Sequence, residues 1–410
     1  MSLRAYRLAT RMAAPALPFY LGWRARRGKE IAARLSERWG RTDATRPNSP
    51  FASGPLANSP LIWVHAASLG EATMMLEVIE RIAARGASVL LTTQTVSAAL
   101  SLAPRLPEGA LHQFAPLDMP SAVERFLDHW RPDVALFAES ELWPNLLLGL
   151  RARGIPAALV NARMNADSRA RWERWPEDFA RLIASFALIL PGDAPTREAL
   201  MRLTGRVLPE AVSLKRAVRL DPPEPGEVAA LRATLGGPAI AVLSLHPEES
   251  APLKTWLDAQ GLRAVVVPRY PDRMEDYGLD GLTVLPGFGT TALACAAAQV
   301  ALVGGSLLPS LRGHTPMEAL HLGLPVASGP HVESFAGLYS DWYGTIGTRA
   351  EDALVRARQW MSDPGLRARD TRAAKRFAAA QTGVIDTVMD RLSPVLAPIL
   401  DPLATPDSPL

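Results

Sequence analysis

The sequence predicts an α/β protein made of two doubly wound domains, each a parallel sheet flanked by helices. Three observations carry that prediction. Short, uniformly apolar runs alternate with helical segments along most of the chain, as fully buried parallel strands require. The alternation stops at "DPPEPGE", residues 221–227, and then starts afresh. A chain of 410 residues also exceeds one ordinary core, and two domains of about 150–200 residues each are the natural division.

Residues 1–40 form a strongly basic segment in which Arg4, Arg7, Arg11, Arg24, Arg26, Arg27 and Lys29 surround an apolar patch from Pro15 to Trp23. The patch is too short to span a bilayer, and no small-residue cleavage site marks it as a signal peptide. It reads as an interfacial helix with Phe19, Tyr20 and Trp23 at headgroup level, and equally as a first helix packed on its domain. Residues 41–60, rich in Pro, Ser and Asn, read as a linker. The first Rossmann-like domain, 61–208, takes strands at 61–64, 89–93, 112–115, 134–138, 157–160 and 188–190. A helix is expected from Glu71 to Arg85 and others after Thr95 and from Ser121. The second domain, 209–395, takes strands at 239–243, 263–267, 282–285, 300–303 and 325–327, and a disordered tail is expected at 396–410. Two such domains facing each other across a cleft make the GT-B architecture of glycosyltransferases, although a fold alone does not fix chemistry.

Composition narrows the classes. Net charge is only +3 and the basic excess is confined to the N-terminus, which fits an anionic membrane surface or ligand and not nucleic acid. One cysteine, Cys295, in an Ala-rich stretch, excludes an internal disulfide and fits a reducing compartment. The seven histidines are scattered and no Asp-x-Asp occurs, so no metal site is expected. Neither a dinucleotide Gly-x-Gly-x-x-Gly after the first strand nor a Gly-x-Ser-x-Gly elbow is present.

Polar residues and glycines collect where the strands end. In "VHAASLGEAT", Ser68 and Gly70 lie in a small-residue turn and Glu71 opens a helix. Glu71 either favours the positive helix end or sits where open α/β sheets bind ligands. Thr93, Thr95, Glu139, Glu141, Asn161 and Arg163 follow later strands of the same domain. His246, Arg269, Gly304, Gly305 and Ser306 follow strands of the second. In "GHTPME", Thr315 reads as an N-cap with Pro316 at the first helical position. Free N–H groups there would hold a phosphate, with Glu318 in reach of a ribose diol. The alternative is a capped structural helix without a ligand.

These residues resemble the 3-deoxy-D-manno-octulosonic acid (Kdo) transferases of lipopolysaccharide synthesis, glycosyltransferase family 30. The resemblance rests on "RLSERWGR", "WVHAASLGE", "LLTTQT", "ESELWPN", "GIPAALVNARM", "SLHPEE", "VPRYPDR", "LVGGSL", "GHTPMEAL" and "PVASGPH". It implies a GT-B enzyme that needs no cofactor or metal, takes CMP-Kdo as donor and a lipid A precursor, lipid IVA, as acceptor, and inverts the anomeric centre. It further implies Glu71 as general base. It places CMP at Arg269, His246, His314 and Thr315 to Met317 with Glu318 nearby, and the protein on the cytoplasmic face of the bacterial inner membrane, peripheral or monotopic. "VSLKRA" keeps the family's Lys215 but not the flanking Asn and Asp, and Thr315 replaces an Asn. A paralogue using another CMP-sugar or acceptor, or a silent binding protein, stays open on sequence alone.

Overall fold

A computed structural model describes residues 2–46, 59–217, 222–287, 289–341, 345–346, 349–381 and 383–401. Two compact units divide the chain: Met1–Leu214 together with Val384–Leu410, and Lys215–Gly383. The first holds β1 (Leu61–His65), β2 (Ser88–Thr93), β3 (Ala110–Phe114), β4 (Val134–Ala138), β5 (Ala157–Ala162) and β6 (Phe186–Pro191). They pair in parallel in the order β3-β2-β1-β4-β5-β6. β1 and β4 read LIWVH and VALFA and are buried throughout, as strands covered by helices on both faces must be. Trp63 of β1 fills the core against Phe126 (ring centroids 4.8 Å apart) and Phe137 (5.2 Å).

The second unit repeats the plan with β7 (Ala239–Leu245), β8 (Arg263–Pro268), β9 (Thr283–Val284), β10 (Val300–Val303), β11 (Val326–Ser328) and β12 (Thr345–Ile346). Its parallel order is β12-β11-β10-β7-β8-β9. Counted from each unit's own first strand, both sheets run 3-2-1-4-5-6. In such sheets ligands bind outside the carboxyl ends of the strands where the order reverses. That point lies between β1 and β4 in one unit and between β7 and β10 in the other. Residues 66–71 and 139–143 therefore emerge at the first switch point, and residues 246–249 and 304–307 at the second.

Several boundaries differ from expectation. The helix expected at Glu71–Arg85 runs Leu69–Ala83, because Ser68 caps it, so Gly70 lies inside its first turn. The domain border falls after Leu214 and not after 208, and the chain from Val384 returns to the first unit. Ile385, Val388, Met389, Leu392, Leu396 and Leu400 are the buried face of that last helix, Gly383–Leu400. An ion pair between Arg81 and Asp386, and the Arg391 guanidinium on the Glu210 carbonyl, tie it down. Residues 396–400 are thus helical where a tail is expected; 402–410, like linker residues 47–58, lie outside the described residues.

The basic N-terminal segment forms the helices Leu3–Ala13 and Leu17–Arg26, followed by a 3-10 turn, Ala32–Arg34, and a short helix, Leu35–Arg38. Leu3 donates its N–H to Asp178 (3.2 Å), and the Tyr6 hydroxyl bonds to Asp118, docking the first helix on its unit. Phe19 is nevertheless 81% exposed and Met12 74%. No helix among the described residues is long and apolar enough to cross a membrane.

Candidate functional site

At the first switch point the sequence Ser68-x-x-Glu71 makes a capping pair. Ser68 Oγ accepts the Glu71 N–H (3.3 Å) and donates to Glu71 Oε1 (3.0 Å), while Ala67 N–H donates to Oε2 (2.8 Å). The carboxylate is thus aimed as well as capped, with lone pairs to spare. Burial pushes its proton affinity above the ordinary carboxylate range, and the charges of Glu141 and Glu139 push the same way against those two donors. A fixed carboxylate of raised basicity suits proton abstraction.

Glu141 is the opposite case. Burial alone would raise it, but His65 and the indole N–H of Trp143 outweigh burial and hold it below the ordinary value. His65 Nε2 lies 3.1 Å from Glu141 Oε2, and its Nδ1 lies 2.9 Å from Thr92 Oγ1. Thr92 also accepts the Trp63 indole N–H at 2.8 Å. Since that N–H can only donate, the Thr92 hydroxyl is free to donate to His65 Nδ1, leaving Nε2–H for Glu141. Glu139 sits in the left-handed region (φ 53°), as does Asn161 (φ 54°), a strain that collects at functional sites. Asn161 Nδ2 donates to Glu139 Oε1 (3.2 Å), and its Oδ1 accepts the Leu214 N–H (3.0 Å).

Other expected residues of this unit make local contacts. Thr93 meets His112 Nε2 at 2.9 Å, Thr95 caps the helix Val96–Leu102, and Arg163 pairs with Asp193 at 3.5 Å. Lys215 is not among them. It opens the second unit, with its ammonium 5.7 Å from the Phe335 ring centroid.

The second switch point collects imidazoles, a guanidinium and glycines. His246 Nε2 and His314 Nε2 lie 2.8 Å apart, with the rings stacked at 16°. Burial and the nearby Arg269 charge depress both, His314 to about 4. Arg269 is exposed, and its loop is pinned by its N–H on the Leu245 carbonyl (2.8 Å) and by Tyr277 Oη accepting the Tyr270 N–H (3.0 Å). A Cβ at Gly304 would sit 2.8 Å from Ser244 O, so the close packing of loop on strand requires glycine there. Burial pushes the Glu318 carboxyl up, against the pull of Arg269.

Several backbone N–H groups near the expected phosphate site have partners within the protein. The helix after "GHTP" is only Met317–His321 and its N-cap is Pro316, not Thr315. Thr315 Oγ1 accepts the Met317 N–H at 3.2 Å. Gly304 N–H goes to Leu243 O (2.7 Å) and Gly313 N–H to Gly305 O (2.7 Å). Ser306 Oγ is spent on Val303 O (2.5 Å) and the Gly329 N–H (2.8 Å), and Met317 is core. The Gly305 N–H (2.6 Å), the Leu307 N–H (2.9 Å) and the His246 N–H (3.2 Å) all go to Glu249. Arg269 and the two histidines are the side chains at this point suited to an anion.

Sequence reasoning missed Glu249 and His65. The His246-x-x-Glu249 spacing at a helix start was a visible capping signal. His65, last residue of a buried strand, stood in plain view in "WVHAAS".

A family model described as 3-deoxy-D-manno-octulosonic-acid transferase matches residues 33–219. The chain is 32% identical to 3-deoxy-D-manno-octulosonic acid transferase of Bordetella pertussis, over 94% of this chain and 98% of that one. It is 31% identical to a probable mitochondrial 3-deoxy-D-manno-octulosonic acid transferase of Arabidopsis thaliana, over 81% and 80%. Among solved structures, a glycosyltransferase from Rickettsia africae matches with a TM-score of 0.58 at 9% identity, over 83% of this chain and 99% of that one. A UDP-GlcNAc 2-epimerase from Neisseria meningitidis matches with 0.53 at 12% identity, over 81% and 99%. The last pair shares the fold and differs in chemistry, so the family follows from the sequence relatives. The chain belongs to the 3-deoxy-D-manno-octulosonic acid transferase family of glycosyltransferases.

Proposed function

We propose that the protein transfers Kdo from CMP-Kdo to a lipid A precursor with inversion at the anomeric carbon, and that Glu71 is the base. The observation that carries this is the Glu71 carboxylate, held by Ala67 and Ser68 at a switch point and raised in basicity by burial and two neighbouring carboxylates. An acceptor hydroxyl is far less acidic than a carboxylic acid, so its proton must leave as the oxygen attacks. Glu71 accepts that proton. The bond from the anomeric carbon to the phosphate oxygen breaks with its electron pair on CMP, and the new bond forms on the opposite face. Arg269 offsets the charge that appears on the departing phosphate. No step in this scheme needs a metal.

The acceptor is an anionic lipid, and the N-terminal helices suit a membrane surface. Leu8, Met12, Phe19, Tyr20 and Trp23 are exposed, and the Arg27 guanidinium stacks 4.1 Å from the Trp23 ring centroid. We place the protein as peripheral or monotopic on the cytoplasmic face of the inner membrane. Each basic residue near an anionic surface contributes on the order of 1 kcal/mol, and salt screens it. The protein should sediment with anionic vesicles at low salt and be released at high salt; retention until detergent is added would contradict an interfacial mode.

The reaction itself is tested by supplying purified protein with labelled CMP-Kdo and lipid IVA in the presence of a chelator. Labelled glycolipid is expected. Transfer only to another acceptor, or from another CMP-sugar, would favour a paralogue; binding without transfer would favour a silent protein.

A further inference from the structure

The second switch point contains a feature that anion binding by Arg269 leaves unused. His246 and His314 point the same nitrogen at each other, Nε2 to Nε2 at 2.8 Å. One must donate and the other accept, so a neutral pair holds one proton on that line and one on the acceptor's outward Nδ1, and a further proton goes to the donor's outward Nδ1. The geometry is enforced from several sides. Tyr270 packs edge-on against His246, with centroids 5.4 Å apart. The Tyr339 hydroxyl donates to the His314 carbonyl at 3.2 Å. A Cβ on Gly305 (φ +69°) would lie 2.5 Å from His314 Cδ2 and 2.8 Å from its Nε2, so only glycine leaves room for the ring.

We infer that the His246–His314 pair takes up a proton when an anionic oxygen group of the donor binds beside Arg269, making the pair a second, proton-dependent cation of the donor site. This rests on the donor reading above. The charged and titratable groups set against the pair are Glu248, Glu249, Arg269, Tyr270 and Tyr339, and Glu318 faces Arg269. In the free protein burial lowers the proton affinity of both imidazoles; on His246 the Glu248 charge opposes it more strongly than Arg269 adds to it, while on His314 Arg269 and then His246 add to it. Glu249 is already committed to three backbone N–H groups. A bound anion neutralises Arg269 and attracts an imidazolium, so both changes raise the proton affinity of the pair. By linkage, the anion binds more tightly as pH falls through the midpoint of the liganded pair. A neutral imidazole pair kept for packing would show neither effect. Two donor groups carry the required chemistry, the CMP phosphate and the sugar carboxylate.

The test is a pH titration of the ring carbon signals of His246 and His314 by NMR, in full-length protein with isotopically labelled histidine. Assignments come from His246→Gln and His314→Gln. The three arms are no ligand, CMP, and free Kdo, and the phosphorus signal of CMP reports its own binding and ionisation separately. The expected result is a midpoint raised by about 1–3 pH units in one liganded arm. A rise with CMP assigns the phosphate; a rise only with Kdo assigns the carboxylate. In Gly305→Ala, where the added methyl displaces His314, the rise should vanish. Bound CMP and bound Kdo with an unmoved midpoint would overturn the inference alone, whereas absence of CMP binding would overturn it together with the donor reading.

Discussion

The two switch points share one topology and carry opposite chemistry. At the first, between β1 and β4, the exposed backbone ends deliver Glu71, Glu139 and Glu141, and two of these carboxylates have been driven apart. Burial and like charge raise Glu71, whereas His65 and Trp143 pull Glu141 below its ordinary value against its own burial. At the second, between β7 and β10, the same positions deliver His246, the glycine pair and, from the neighbouring strand, Arg269. A buried carboxylate there, Glu249, is consumed by backbone donors. One point is suited to accept a proton and the other to hold an anion. What differs is which side chains follow the strands, since the sheets that present them have the same order.

The largest expected consequence falls on turnover. Glu71→Gln keeps the capping geometry and removes the base, so the transfer rate should fall by about 10²–10⁴-fold with the melting temperature nearly unchanged. Next comes Glu249→Ala. It strands the N–H groups of Gly305, Leu307 and His246, each costing about 1–3 kcal/mol if left buried without a partner. Thermal unfolding should show a clear loss of stability, and CMP affinity should drop because the glycine loop is no longer pinned. The same truncation at Glu71 should cost far less stability, since its partners lie at an accessible helix start.

Arg269→Ala removes one charge-assisted contact and should weaken CMP binding by about 1.5–3 kcal/mol, read by calorimetry. The smallest effect is a shift in pH dependence. Glu141 is one cause of the raised Glu71, so Glu141→Gln should lower the Glu71 proton affinity. The acid limb of the rate profile then moves to lower pH, because Glu71 stays ionised further into the acid range. A limb that moves up or stays fixed would separate the two carboxylates.

The contrast also shows what a sequence can reveal. Strands such as Val134–Ala138 and Val300–Val303 are readable because a strand buried on both faces is apolar throughout and bounded by polar turns. The strand Thr345–Ile346 is two residues long and carries no such signal. Glu71, Glu139, Glu141, His246 and Arg269 are legible as polar residues at strand ends, which depends only on local pattern. The role of Glu249 is not, because its partner Gly305 is 56 residues away and the bond exists only once β7 and β10 are neighbours. The return of the last helix to the first unit is likewise tertiary. An amphipathic helix declares an apolar face but not what covers it.

The division of labour between the two switch points is tested most directly by measuring CMP affinity and Kdo transfer side by side in Glu71→Gln and Arg269→Ala. Glu71→Gln is expected to bind CMP as the unaltered protein does and to lose at least about a hundredfold in transfer. Arg269→Ala is expected to show its loss first in CMP affinity. Undiminished transfer by Glu71→Gln, or a loss of CMP affinity in it as large as that in Arg269→Ala, would contradict the account.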